Sequence, residues 1–272
     1  MNAQFRKDTQ QFLGDNKTLF EVYLPGTRHG DIISGSYALD IAKGRIAGHS
    51  VAFISGKAPS VASSDVPKTV WNVDGATYPW SAWNSTDHFI FLASDSASDT
   101  GTVLLSGLDN NYNPLTTTVV LTGTTPVSTT VKFKRLNSAI IISNTVTNVG
   151  TINIRTVSSS GTIVGRILPA EGQTSMGIYT IPAGFTGFSV YGDFSVSRNN
   201  AAQLAVRWRF FGGPFITVYR TEVYQQAFVA NPMIPGAIPE KTDLDNMVQY
   251  VENAGTRVYS NQQLILVDNN FL

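Results

Sequence analysis

The chain has 272 residues, no cysteine, and 19 basic and 19 acidic residues, so its formal net charge is zero. The absence of cysteine excludes disulfides, Cys-ligated zinc, iron–sulfur clusters and thiol catalysis. A neutral chain without a basic stripe lacks the signature of a nucleic-acid or anionic-membrane partner, and we expect neither. Charged residues make up only 14% of the chain. Hydroxyl and amide side chains must therefore supply the polar surface, and such groups cost less to desolvate in protein contacts than charges do.

The first 48 residues are polar and contain the segments with helical character, at 8–13 and 37–43. No apolar core typical of a signal peptide is present, and no apolar stretch is long enough to cross a bilayer. We expect a chain made in a cytoplasm that stays soluble until it assembles. We interpret residues 1–48 as an N-terminal arm with minor helix, whose candidate interface residues are Phe5, Phe12 and Phe20.

From residue 49 onward, short runs of Val, Ile, Thr and Phe alternate with turn residues, which predicts β-strands. The segment 242–251 fits either a helical stripe or a strand, and its β surroundings favour a strand. This pattern predicts an all-β fold, an antiparallel β-sandwich of jelly-roll type over 49–272, with a potential division near 84–100. The other predicted strands are 49–55, 88–93, 102–106, 116–121, 128–134, 139–143, 151–156, 162–168, 175–181, 186–197, 203–211, 215–223 and 262–267.

The segment 70–83, VWNVDGATYPWSAW, holds three of the four tryptophans. Trp and Tyr dominate binding hot spots, and aromatic rings also stack on sugars. Three interpretations stay open: a loop that packs its aromatic rings on the end of the sandwich, a subunit interface, or a ligand platform. The candidate interface residues of this segment are Trp71, Tyr78, Trp80 and Trp83.

Asp99-Thr100-Gly101 is the tripeptide that supplies the catalytic carboxylate of aspartic proteases. Such a carboxylate needs a buried apolar strand before it, so that two carboxyls can share a proton in a low dielectric. Here the preceding residues, 94–98, are polar, and the tripeptide occurs once. The sequence favours a solvated turn before the strand at 102–106.

The other polar motifs of the sequence do not indicate a metal site or a catalytic site. Residues 109–113, DNNYN, imitate the start of a calcium loop, but position six is Pro114 and position twelve is Val120, which favours an Asx-rich hairpin. Opportunistic calcium binding at Asp95, Asp99 or Asp109 stays open. The three histidines, His29, His49 and His88, are not spaced as metal ligands. Neither a phosphate loop nor a nucleophile elbow is present. We expect no cofactor and no enzymatic activity.

An ordered set of short motifs resembles a family of virion proteins of tailed bacteriophages, common in short-tailed and environmental phages. The resemblance covers about residues 38–269. The motifs, in chain order, are DIAKGRIAGHSV (40–51), VW with Gly75 (70–75), GLDNNY (107–112), LTGTTPV (121–127), NVGTI (148–152), QT (173–174), YTIPAG (179–184), GGPF (212–215), PEKTD (239–243) and LVDN (266–269).

The resemblance implies a location in the virion and carries no catalytic motif. It implies a non-enzymatic structural component whose partners are further copies of itself and other virion proteins. Association with the tail fibre or tail adaptor is favoured. A capsid decoration protein and an adhesin that binds host glycan through the aromatic rings of segment 70–83 are the alternatives.

Overall fold

A computed structural model describes residues 37–73, 77–83, 86–143, 147–225, 227–230, 232 and 235–272. These residues form one short helix, α1 (Tyr37–Ala42), two 3₁₀ turns at Trp80–Trp83 and Asn269–Phe271, and seventeen strands. The strands are β1 (His49–Val61), β2 (Lys68–Thr69), β3 (His88–Ser94), β4 (Thr102–Leu108), β5 (Pro114–Val120), β6 (Val127–Phe133), β7 (Arg135–Ile141), β8 (Ile152–Thr156), β9 (Ile163–Ile167), β10 (Ile178–Thr180), β11 (Phe185–Val196), β12 (Ala201–Arg209), β13 (Phe215–Tyr224), β14 (Ala227–Ala230), β15 (Ala237–Ile238), β16 (Asp243–Val251) and β17 (Thr256–Asp268).

The strands form four antiparallel sheets that pack in two pairs. In the first pair, one sheet has the order β1-β17-β11-β14, with β15 also on β11, and the other has the order β10-β16-β12-β13, with β2 also on β16. We call this pair the outer sandwich. Its inner faces share two clusters of buried apolar side chains, which contain residues of both sheets.

The second pair lies between β2 and β10 in the chain, so we call it the inserted sandwich. Its sheets have the orders β6-β3-β8-β9 and β5-β4-β7. Alternation along each strand directs one face inward, as in β4, where Val103 and Leu105 are buried and the intervening Leu104 is only partly covered. Both sheets contribute to a single large core. The chain thus leaves the outer sandwich after β2 and returns to the same sheet at β10.

The all-β, sandwich-type fold predicted from the sequence is confirmed. The ambiguous segment 242–251 is a strand, β16, and the helix predicted at 37–43 is α1. Turn chemistry predicted most of the strands to within a few residues, whereas the short strands β2, β14 and β15 were not predicted. The helix predicted at 8–13 lies outside the described residues. The division into an arm of residues 1–48 and a domain of residues 49–272 stays a prediction.

Candidate functional site

The aromatic segment lies where the two sandwiches meet. The side chains of Trp71, Tyr78, Trp80 and Trp83 are between 0 and 6% exposed and belong to the core of the inserted sandwich. The Tyr78 ring makes edge-to-face contacts with Trp71, at a centroid distance of 5.2 Å, and with Trp80, at 4.7 Å. These contacts leave no ring face open to solvent.

The polar atoms of the same rings have partners inside the chain. The Trp83 Nε1–H donates to the Tyr78 hydroxyl at 3.1 Å, and the Trp80 Nε1–H donates to an oxygen of Asp245 at 3.2 Å. Burial raises the pKa of the Tyr78 hydroxyl, although its hydrogen bond with Trp83 and the nearby Arg135 lower it. Of the three interpretations left open by the sequence, packing, a subunit interface or a ligand platform, the burial of these four side chains favours packing, because their surface is already used inside the chain.

Two carboxylates of β16 organise this junction. Asp243 and Asp245 are two residues apart and point to the same face, opposite Arg209 and Arg207 on the paired strand β12. The Asp243 carboxylate accepts hydrogen bonds from Arg209 Nη2 at 2.6 Å and Nε at 2.9 Å, and from the Thr180 hydroxyl at 2.6 Å. Arg207 Nη2 donates to Asp245 at 2.6 Å.

Arg135 joins the two sandwiches at this point. It begins β7 of the inserted sandwich, and its Nε donates to Asp243 of the outer sandwich at 2.9 Å. The Arg135 backbone reaches this position because Gly107 of the neighbouring β4 has no side chain: a Cβ atom there would lie 2.0 Å from the Arg135 carbonyl oxygen. Burial lowers the pKa of Arg135, but the hydrogen bond and charge of Asp243 outweigh it and raise the pKa overall.

The cations of the junction also lie over aromatic rings. The Arg209 guanidinium is 5.2 Å from the ring centroid of Trp80 and 4.8 Å from that of Phe215, and the Arg135 guanidinium is 5.7 Å from that of Trp80. Burial raises the pKa of Asp245 against the lowering effect of Arg207. Asp243 pairs with Arg135 and Arg209, and Asp245 pairs with Arg207, although the Arg207 Nε is buried without a hydrogen-bond partner. We call this set of ion pairs between the two sandwiches the clamp.

The Asp-Thr-Gly tripeptide also has a structural role. Asp99 is only 6% exposed, so the prediction of a solvated turn is wrong about its solvation. Its carboxylate accepts hydrogen bonds from the Ser94 hydroxyl at 2.5 Å and from the amides of Val149 and Gly150 at 2.7 and 2.9 Å. Burial raises the pKa of Asp99, but these three hydrogen bonds outweigh it and hold the pKa below its usual value. Asp99 ties the turn before β4 to the loop before β8.

The other polar groups singled out in the sequence bind the backbone locally. Asp109 accepts from the amides of Asn111 and Asn113 at 2.8 and 2.9 Å, which is an Asx-type turn, and Asp95 accepts from the Thr151 amide at 2.7 Å. His49 and His88 each bond to a carbonyl oxygen, those of Ala47 and Ala82, whereas His29 lies outside the described part of the chain. Among the residues that the structure describes, no three His, Asp or Glu side chains are placed to hold a metal ion.

A cleft of about 380 Å³ lies between the two sandwiches. Residues 50–53 of β1 form one side, and residues of β4, β5 and β7 form another. Its lining contains no Asp, Glu, Lys, Arg or His, so it offers no carboxylate, cation or imidazole for acid–base chemistry.

The most exposed strand of the structure is β13. Five consecutive residues, Ile216–Arg220, are exposed, so side chains on both faces of the strand meet solvent. Four apolar or aromatic side chains of this strand are 39–62% exposed: Ile216, Val218, Tyr219 and Tyr224. Strand β5, an edge strand of the inserted sandwich, differs because its Thr-rich sequence alternates between covered and exposed residues, as a strand with one solvated face does.

Sequence analysis did not identify β13 or the clamp as sites. The sequence did contain a signal for the clamp: two arginines, Arg207 and Arg209, and two aspartates, Asp243 and Asp245, are each spaced two residues apart within a predicted strand, so each pair lies on one face. Their alignment became visible only when the pairing of β12 with β16 was known. The signal of β13 was a run of apolar and β-branched residues, which by itself is equally typical of a buried strand.

No model of a known protein family and no curated protein sequence matches the chain. Among solved structures, the PBSX exported protein XepA is 9% identical, with a TM-score of 0.20, over 91% of this chain and 100% of that chain. A structure of the infectious bursal disease virus Gt strain is 8% identical, with a TM-score of 0.20, over 91% of this chain and 76% of that chain. At these TM-scores the likeness supports no conclusion about this chain. In the described residues, no helix is long and apolar enough to span a membrane.

Proposed function

We propose that this chain is a non-enzymatic structural component of a tailed-phage virion that acts through repeated contacts between subunits. The observation that carries the proposal is the strand β13, which exposes apolar side chains on both faces along a sheet edge. A long exposed apolar edge pairs readily with another chain, and natural proteins usually shorten, charge or cover such edges, so β13 is a favourable place for contact with another subunit. The resemblance to tailed-phage virion proteins supplies the setting in which that partner is found.

The proposal favours association with the tail fibre or tail adaptor, and a capsid decoration protein is the alternative within the particle. Both roles require subunit contacts, and a neutral surface of hydroxyls and amides lowers the cost of desolvation in either. The adhesin alternative rested on the rings of segment 70–83. Those rings are buried, so they offer a sugar no face on which to stack.

The N-terminal arm is part of the proposal, with Phe5, Phe12 and Phe20 as its candidate contacts, all of which lie outside the described residues. We expect that a chain lacking residues 1–36 folds with an unchanged circular dichroism spectrum but is not incorporated into particles. Incorporation of the truncated chain at the wild-type level would remove the arm from the proposal and leave β13 in place.

The test of the proposal is to locate the chain in purified particles of the phage that encodes it. An antiserum against the recombinant chain should label particles in electron micrographs, with gold at the tail and with no label on particles of an unrelated phage. Label on the head would select the decoration alternative. Absence of the chain from purified particles, together with its presence in the lysate by mass spectrometry, would contradict the proposal.

A further inference from the structure

Strand β13 is the last strand of its sheet, in the order β10-β16-β12-β13. Among the strands that the structure describes, it is hydrogen-bonded to β12 only, so the backbone amides and carbonyls of its other edge are available to a second strand. It is ten residues long and contains no proline or lysine. Its one irregularity is at Val218, so residues 219–224 form the regular part of the edge. The edge is therefore suited to pairing.

The exposed side chains of β13 make the same edge unfavourable in isolation. A register shift between Val206 and Arg207 of the paired strand leaves Val218 of β13 without a Cα partner, at the centre of the exposed run. Only near its end does the strand turn inward, where Val223 is buried in the outer sandwich. A second strand along residues 218–224 would cover Val218, Tyr219 and Tyr224, which the fold itself leaves exposed.

The charges of β13 indicate which strand fits. Arg220 and Glu222 flank Thr221, point to the same face and are exposed. Neither side chain forms an ion pair or hydrogen bond with another described residue. In an antiparallel pair of two β13 strands centred on Thr221, Arg220 of each copy lies opposite Glu222 of the other. Opposite charges at facing positions stabilise such a pair, and this arrangement supplies two of them.

The geometry points to a second copy of this chain as the partner of β13, with antiparallel pairing about a two-fold axis at Thr221. The contact is isologous, and it joins the two β10-β16-β12-β13 sheets into one continuous sheet across the dimer. This inference deepens the proposed function and rests on it for the biological role, since it names one of the subunit contacts. The pairing itself is a property of the purified chain and is tested without particles.

The first test exchanges the charges in the full chain and follows the dimer by sedimentation velocity over a dilution series. Arg220→Glu places a carboxylate opposite Glu222 at both ends of the pair, and Glu222→Arg places two guanidinium groups together. We expect each single variant to weaken the dimer about tenfold or more, and the double variant to restore it. Both substituted sites are exposed, so the melting temperature of the dilute chain reports whether the fold is unchanged in each of the three variants.

The second test uses the lack of cysteine in the chain. Thr221→Cys places a thiol opposite the same thiol of the second copy, where Cα atoms of facing residues are about 4.5–5.5 Å apart, within the range of a disulfide. Mild oxidation should therefore give a covalent dimer. The matched control is Thr118→Cys, an exposed threonine on the edge strand β5, which should remain monomeric under the same conditions.

Three results would overturn the inference: a wild-type chain that is monomeric at every concentration, a dimer insensitive to both charge reversals, or equal crosslinking through Cys at 118 and 221. A dimer weakened by the single variants and not restored by the double variant would contradict the pairing about Thr221. If the dimer is absent and particles are nevertheless labelled, the inference fails and the proposed function stands. If the dimer forms and the chain is absent from particles, the inference stands and the proposed function fails.

Discussion

The aromatic segment of residues 70–83 and the strand β13 are built from similar residues and have opposite environments. Both combine aromatic and β-branched side chains with few charges. The rings of the segment are enclosed between the two sandwiches, whereas β13 exposes five residues in succession at a sheet edge. Composition therefore does not distinguish an interior from a contact surface. The elements packed against each region do.

The two regions also differ in how their polar groups are satisfied. In the segment, the indole N–H groups of Trp80 and Trp83 have acceptors inside the chain, and Asp243 and Asp245 neutralise the guanidinium groups beside the rings. On β13, Arg220 and Glu222 face solvent, with their complements available in a second copy. The first region holds the fold together, and the second carries the subunit contact that we propose.

The largest loss of stability is expected from a substitution in the buried aromatic segment. Trp83→Ala removes a fully buried indole from the core, and we expect it to lower the free energy of unfolding by about 3–5 kcal/mol. Urea denaturation at neutral pH, in the dilute chain, measures the loss. A loss below about 0.5 kcal/mol, the range usual for surface sites, would show that the segment does not carry the packing assigned to it.

The next effect tests the clamp between the sandwiches. Asp243→Asn leaves the buried Arg135 and the neighbouring Arg209 without their carboxylate, and breaking such a pair costs about 3–5 kcal/mol, of which the amide oxygen recovers a part. The control is Asp87→Asn, whose partner Lys132 is 4.0 Å away and half exposed, and which should change stability by less than about 1 kcal/mol. Equal losses in the two variants would contradict the clamp.

The sequence predicted the class of fold and most of the strands because turn residues and alternation are local signals. Pro114 illustrates this, since a proline that cannot continue a central strand stands at the first position of the edge strand β5. The sequence did not predict that residues 88–167 form a separate pair of sheets. That division depends on the pairing of β2 with β16 and of β1 with β17, which joins residues far apart in the chain and leaves no local signal. The burial of the tryptophans and the exposure of β13 depend on that pairing, so neither followed from composition.

Asp99 gives a smaller effect that depends on pH. Asp99→Ala leaves the Val149 and Gly150 amides without their acceptor, and we expect a loss of about 2 kcal/mol at pH 7. The pKa of Asp99 is lower in the folded chain than in the unfolded chain, so its stabilisation is complete above the unfolded pKa, near 4, and decreases as the pH falls through the folded pKa.

The measurement is urea denaturation of the wild type and Asp99→Ala at neutral and acid pH. The difference between them should shrink below about pH 4. A difference that is constant with pH would mean that the ionised carboxylate is not the stabilising group.

The smallest change in stability is expected from a substitution on the exposed strand β13. Tyr224→Ala removes an aromatic ring that is 62% exposed, and we expect the stability of the dilute chain to change by less than about 0.5 kcal/mol. The same urea titration used for Trp83→Ala gives a direct contrast between the two aromatic residues. A loss comparable to that of Trp83→Ala would place Tyr224 in the packing of the fold and remove it from the contact surface.

Hydrogen exchange read by mass spectrometry tests the central claim most directly, by comparing the dilute chain with the chain in purified particles. Peptides that cover β13, residues 215–224, should become protected in the particle, because a second strand takes up the amides of the open edge. Peptides that cover residues 77–83 should exchange at the same slow rate in both states. Protection gained in 77–83, or unchanged exchange along β13, would contradict the account.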